Sequence, residues 1–278
     1  MDGPSILAAT MSTPSVRDRT ERMWQYHSRS DLHSKVACWG VLFDLLQQSE
    51  LLKRHAASGK VIFGTNHEMR SFATNRKKKL DLVVARPAGD VSVELQTLES
   101  LAHAWGIVLD ERQRDKLSGL PPLQEGVVGA ALIALEAKAA MTAHTKARPR
   151  LYDELNSSHD TVHGASRQAL AVGFVMVNVS DTFVSPGLQK GRSAVISRHT
   201  QPRDAQGVID KVREIPRRVG PASTGYDGLA IVAINCVNDG TRVELVTTPP
   251  APQPGDIYNY ATMVTRVANE YDTTFSGI

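Results

Sequence analysis

Four apolar runs, each too short for most helices, punctuate the chain: Leu80–Ala85 (LDLVVA), Ala130–Lys138 (AALIALEAK), Gly173–Val179 (GFVMVNV) and Leu229–Val237 (LAIVAINCV). Runs of this length bounded by polar or turn residues predict buried strands. Ahead of them, Val36, Trp39, Leu42, Phe43 and Leu46 recur at helical spacing, which predicts a helix over Asp31–Lys53 capped by Ser30 or Asp31. Ser58-Gly59 ends that helix, and Lys60–Phe63 reads as a short edge strand. Glu94–Leu117 is mostly helical in pattern, with a break at Gly106 and a stop at Pro121-Pro122. Met141–Asn156 reads as a helix interrupted or restarted at Pro149, Ser157–His163 as a polar break and Gly164–Val172 as a short helix. Asn238-Asp239-Gly240 is a hairpin turn between the 229–237 strand and Arg242–Thr247. A proline-rich loop at 249–255 precedes a closing helix over Ile257–Tyr271.

This order predicts an α/β fold, with a mixed central sheet flanked by helices and a helical insertion at about 90–122. Residues 1–30 read as an N-terminal arm with a short helix, and 31–278 as one domain with a basic, loop-rich region at about 185–225. A length of 278 residues suits one large domain, and the net charge of +3 permits a polyanionic partner without requiring one. Cys38 and Cys236 sit in apolar contexts, which predicts buried thiols in a reducing compartment. No run approaches the roughly 18 apolar residues of a membrane span, and residues 1–15 lack the basic start of a signal peptide. A soluble cytoplasmic protein is expected. Phosphate-binding, dinucleotide, serine-hydrolase and zinc-protease motifs are all missing, which removes support for those chemistries.

The candidate chemistry lies on the first two apolar runs. Glu136 and Lys138 form the only Glu-x-Lys or Asp-x-Lys pair in the chain, and Asp81 sits near the start of the other run. Alternation along a strand puts Glu136 and Lys138 on one face and Ala137 on the other. On neighbouring strands, Asp81, Glu136 and the Ala137 backbone carbonyl could hold one Mg²⁺, with Mn²⁺ as a substitute. Lys138 beside them would stabilise the charge that develops as a phosphodiester is hydrolysed. Taken alone, a Glu-x-Lys on a strand is equally an ion pair.

A helix, an Asp-bearing strand and then a Glu-x-Lys strand resemble the PD-(D/E)XK nuclease superfamily, whose folds are restriction-endonuclease-like. The resemblance spans about residues 31–180, with Asp81 as the first acid and Glu136 and Lys138 as the E-x-K; Leu80 stands where the family has proline. It implies a Mg²⁺-dependent endonuclease on double-stranded DNA, of type II restriction or related defence type, acting as a homodimer. The alternatives are a structure-selective or non-specific nuclease of repair, recombination or mobile elements, and a non-catalytic nucleic-acid-binding protein.

Basic residues supply the expected DNA contacts. Lys77, Lys78 and Lys79 lead into the Asp81 strand, and Lys146, Arg148 and Arg150 follow the Glu136 strand. Arg192, Arg198, Arg203, Arg217 and Arg218 belong to the basic loop region. Glu68 and His144 read as surface residues, and His159 and His163 with Asp160 form a loose, cysteine-free set that argues against zinc.

Overall fold

The computed structural model describes residues 1–19, 21–89, 96–186, 194–220 and 223–278. Helix α1 (Gly3–Met11) and a small hairpin, β1 (Val16–Arg17) with β2 (Met23–Trp24), open the chain. Helices α2 (Leu32–Gln48) and α3 (Glu50–Ala57) follow, then strands β3 (Ile62–Arg70) and β4 (Lys77–Pro87). The insertion contributes α4 (Leu98–Ala104) and α5 (Glu111–Ser118) before β5 (Val128–Ala140). Helix α6 (His144–Ala165) crosses to β6 (Leu170–Asn178), and a second small hairpin pairs β7 (Thr182–Ser185) with β8 (Val195–Arg198). Helix α7 (Arg203–Arg213), β9 (Gly228–Asn235), β10 (Glu244–Val246) and α8 (Tyr260–Thr274) complete it.

Six strands make one mixed sheet in the order β10-β9-β6-β5-β4-β3. β3, β4 and β5 form an antiparallel meander, while β5, β6 and β9 run parallel. Parallel strands buried on both faces read as continuous apolar runs, and here the two faces meet different helices. Leu82, Val84 and Leu135 pack under α1, α2 and α8 in one core; Val83, Ala134 and Val175 pack under α6 and α7 in the other. No helix among the described residues is long and apolar enough to cross a membrane.

Several expectations from sequence need correction. The single helix over 31–53 is two, because Ser49 adopts an extended backbone and its hydroxyl caps α3 by accepting from the Leu52 N–H. The short edge strand at 60–63 continues to Arg70, its polar half paired with the lysines of β4. The polar break at 157–163 is instead helix. Asn156, Ser158 and Thr161 donate to carbonyls four residues back, while Leu151, Leu155, Ser158 and Val162 face the core. Pro149 removes one N–H bond in the second turn and α6 runs on through it. The helix expected over 164–172 is absent: α6 ends at Ala165 and β6 begins at Leu170. The 185–225 region holds α7 as well as loops. The N-terminal arm carries a short helix, as expected, and packs into the core: Ile6 and Leu7 are fully buried, and the buried Asp44 accepts from the Asp2 and Gly3 N–H groups, each at 2.8 Å. α1 crosses α2 so closely that a Cβ on Gly40 would lie 2.9 Å from Gly3 Cα.

Candidate active site

β4 and β5 part company where the candidate residues sit. Their ladder ends at the pair Leu82–Leu135, and one step beyond stand Asp81 and Glu136. On the other side of β4, pairing with β3 runs from Thr65–Leu82 to His67–Leu80 and skips the residue between, Asn66, which takes a φ of 50°. Leu82 therefore packs in one core and Leu80 in the other. A local break of this kind re-aims a side chain. Asp81 uses it to turn its carboxylate into the gap, where Oδ2 accepts the Ala137 N–H at 2.8 Å. The Ala137 carbonyl accepts a hydroxyl bond from Ser34, in the first turn of α2, at 3.3 Å.

Glu136 and Lys138 share the face toward α6, as alternation requires, while Ala137 and Ala139 enter the opposite core. Glu136 is 3% exposed. Its Oε1 receives Lys138 Nζ at 2.5 Å and faces Lys78 Nζ at 3.9 Å; its Oε2 is buried without a hydrogen-bond partner. Glu154 of α6 approaches Lys138 at 3.9 Å from the other side, and the Glu154 carbonyl accepts from Lys78. Burial, and then the charge of Glu136, push the Asp81 carboxyl up to about 6. Burial works against the Lys138 charge, yet Glu136, Asp81 and Glu154 outweigh it and hold its ammonium above the usual range. Lys78 is held below its usual range by burial and by Lys138, against the pull of Glu136. His33, next to Ser34, is pushed down to about 4 by burial and by Lys138.

These groups fit a hard divalent cation. A buried carboxylate oxygen with nothing to bond is costly unless something fills it, and Asp81 stands one residue beyond the last β4–β5 pair, as Glu136 does on its own strand. The donors on offer are oxygens, which suit Mg²⁺. Among the described residues no three His, Cys, Asp or Glu gather around one point. Among the described residues the candidate ligands are two carboxylates and the Ala137 carbonyl, and an ion that keeps several waters accepts such a partial shell.

The expected DNA-contacting residues divide. Lys77, Lys79, Lys146, Arg150, Arg198 and Arg203 are exposed, although Lys77 pairs with the surface acid Glu68 at 2.7 Å. Lys78 is a constituent of the site itself. Arg148 is wedged between α6 and α7, where a Cβ on Gly207 would lie 2.0 Å from its guanidinium. Arg217 is half-buried over the Tyr258 ring. Arg218 is buried, bonded to Asp227 at 3.4 Å and to the Arg167 carbonyl at 2.8 Å, so it is no DNA-facing residue. Arg192 lies outside the described residues. His144 corrects its surface reading: it is buried, with Nε2 on the Asn178 carbonyl at 2.8 Å and its ring edge-on to His199. His159 and His163 are committed separately, to Asn156 and to the Gly225 carbonyl.

Sequence reading missed Ser34, Lys78 as a site residue, and Glu154. None carried a local signal, since strand alternation puts Lys79 rather than Lys78 on the face of Asp81. Comparison with protein-family models, curated proteins and solved structures returns no match.

Proposed function

We propose that the chain is a Mg²⁺-dependent endonuclease hydrolysing phosphodiester bonds of double-stranded DNA, with Asp81, Glu136 and Lys138 as its centre. One observation carries this reading: the buried, unpartnered Oε2 of Glu136 beside an Asp81 carboxylate that burial and Glu136 make reluctant to ionise. The order α2, Asp-bearing β4, Glu-x-Lys-bearing β5 supports the PD-(D/E)XK resemblance, and with it a restriction-like fold. A type II restriction or defence role, working as a homodimer, completes the proposal.

Asp81, Glu136 and the Ala137 carbonyl would hold the ion. When bound, it would supply polarisation of the scissile phosphorus–oxygen bond and counter-charge for the leaving oxygen. The chain's own residues do the rest. Asp81 holds the Ala137 backbone fixed through its N–H, and Ser34 steadies the same residue from α2. Lys138 stays protonated among acids and offers its charge to the phosphate as negative charge builds. Lys78 adds a second positive charge at the same edge.

A second reading has an observation of its own: the 2.5 Å Glu136–Lys138 contact is also what a purely structural ion pair in a nucleic-acid-binding protein would show. Incubation with supercoiled plasmid separates them. The parent should cut in Mg²⁺ and stop in EDTA; Asp81→Ala and Glu136→Ala should be inert, and Lys138→Ala should keep metal binding while losing most of its rate. Cutting by Glu136→Ala at the parent rate would remove the assignment.

A further inference from the structure

The hairpin joining β3 to β4 presents a bare aromatic ring on a fixed support. Phe72 stands at its tip with 87% of its surface exposed, matched among the described large apolar side chains only by Val219. Its backbone is pinned. The Ser71 N–H donates to the Arg76 carbonyl and the Asn75 N–H to the Ser71 carbonyl, each at 2.9 Å. The Phe72 N–H donates to the Gly164 carbonyl, in the last turn of α6, at 2.9 Å. Ser71 is buried there, and a Cβ on Gly164 would lie 2.2 Å from its Oγ. The hairpin thus seats on the helix only because residue 164 has no side chain, and what it holds outward is a phenyl ring.

Beside the ring opens a cleft of about 740 Å³, within the range of small-ligand sites. Three arginines line it, Arg76, Arg167 and Arg218, against one acid, Asp160. Arg218 is committed to Asp227, whereas Arg76 and Arg167 are exposed. An exposed aromatic ring on a pinned backbone, next to exposed guanidinium groups, is complementary to a flat base carrying a phosphate. Bases inside a duplex are already stacked, so only an unpaired nucleotide can offer its face.

We propose that this cleft binds an unpaired nucleotide of a single-stranded segment, its base on Phe72 and its phosphate on Arg76 and Arg167. The proposal deepens the nuclease reading and rests on it only for its place beside a cleavage centre. Arg76 precedes Asp81 by five residues, about 17 Å along extended chain, a span of a few nucleotides. The enzyme would then prefer DNA with a frayed or displaced strand.

The test is fluorescence polarisation of a labelled 12-nucleotide oligothymidylate with the full chain in EDTA, where no cleavage occurs. Phe72→Leu, which keeps an apolar side chain but no ring, should raise Kd about tenfold, and Phe72→Trp should hold it within about twofold. Arg167→Ala should raise Kd and lower its salt dependence. An oligouridylate bound more tightly than the oligothymidylate, with the same dependence on Phe72, supports the cleft and assigns its strand as RNA. A Phe72→Leu chain that binds like the parent overturns the proposal. A parent that binds neither strand does so as well, and leaves the ring to a protein partner. Phe72-dependent binding without plasmid cutting would sink the nuclease reading alone; cutting without it would sink the cleft alone.

Discussion

At Asp81, folding makes a carboxyl group harder to ionise than it is in the unfolded chain. Its folded value of about 6 lies above the ordinary 3.8. Its contribution therefore favours the fold below about pH 4 and is lost as the pH rises through about 6. Asp81→Asn keeps an oxygen for the Ala137 N–H and removes the charge. At pH 7.5 it should be the more stable protein by about 1–3 kcal/mol in urea unfolding, and the gain should vanish at pH 4. Mg²⁺ should raise the parent's Tm at pH 7.5 and leave that of Asp81→Asn nearly unchanged. An Asp81→Asn chain with no gain over the parent at pH 7.5 would contradict the raised Asp81 carboxyl, whether burial or Glu136 is its cause. Glu136 and Lys138 were legible as a pair because a charged couplet ending an apolar strand is costly unless it has work to do. Their neighbours Ser34 and Glu154 were not, since they reach the site from helices α2 and α6 rather than from the two strands, and no local pattern marks them.

Among the elements, the strands buried on both faces were read closely. The expected 173–179 and 229–237 runs fall on Leu170–Asn178 and Gly228–Asn235. β3 and α6 were misread for one physical reason. In each, polar side chains find partners within regular structure, Glu68 of β3 with Lys77 across on β4 and those of α6 by back-bonding to its own carbonyls. What aligns the strand ends was likewise hidden in a single polar residue. Asn178 is fully buried at the end of β6, donates to the Met141 and Cys236 carbonyls, and accepts the Cys236 and Ser180 N–H groups. It ties the exits of β5, β6 and β9 together. Asn178→Ala leaves four buried backbone groups unmatched and should cost about 2–4 kcal/mol in urea unfolding. Asn178→Asp, which loses both donors, should not restore it.

For the whole molecule, one sheet brings a carboxylate pair, two lysines and a helix-borne glutamate to the point where β4 and β5 separate. Arg198 of β8 and Arg203 of α7 are exposed cations, and under the proposed function they contact the duplex. Arg198→Ala and Arg203→Ala should weaken duplex binding equally on all sequences and reduce its salt slope by about one per charge. Arg218→Ala should instead strand the buried Asp227 and lower stability by about 3 kcal/mol, with a salt slope like the parent's. An Arg218→Ala chain of parental stability would contradict the structural role given to that residue. The claim on which the rest depends is that Asp81 and Glu136 share one divalent cation. Crystals soaked in Mn²⁺, with diffraction recorded at the manganese edge, test it most directly. One anomalous peak is expected at about 2.2 Å from an oxygen of each carboxylate, absent from Glu136→Gln crystals. Lys138 Nζ seated between the two carboxylates, with no peak there at saturating Mn²⁺, would contradict it.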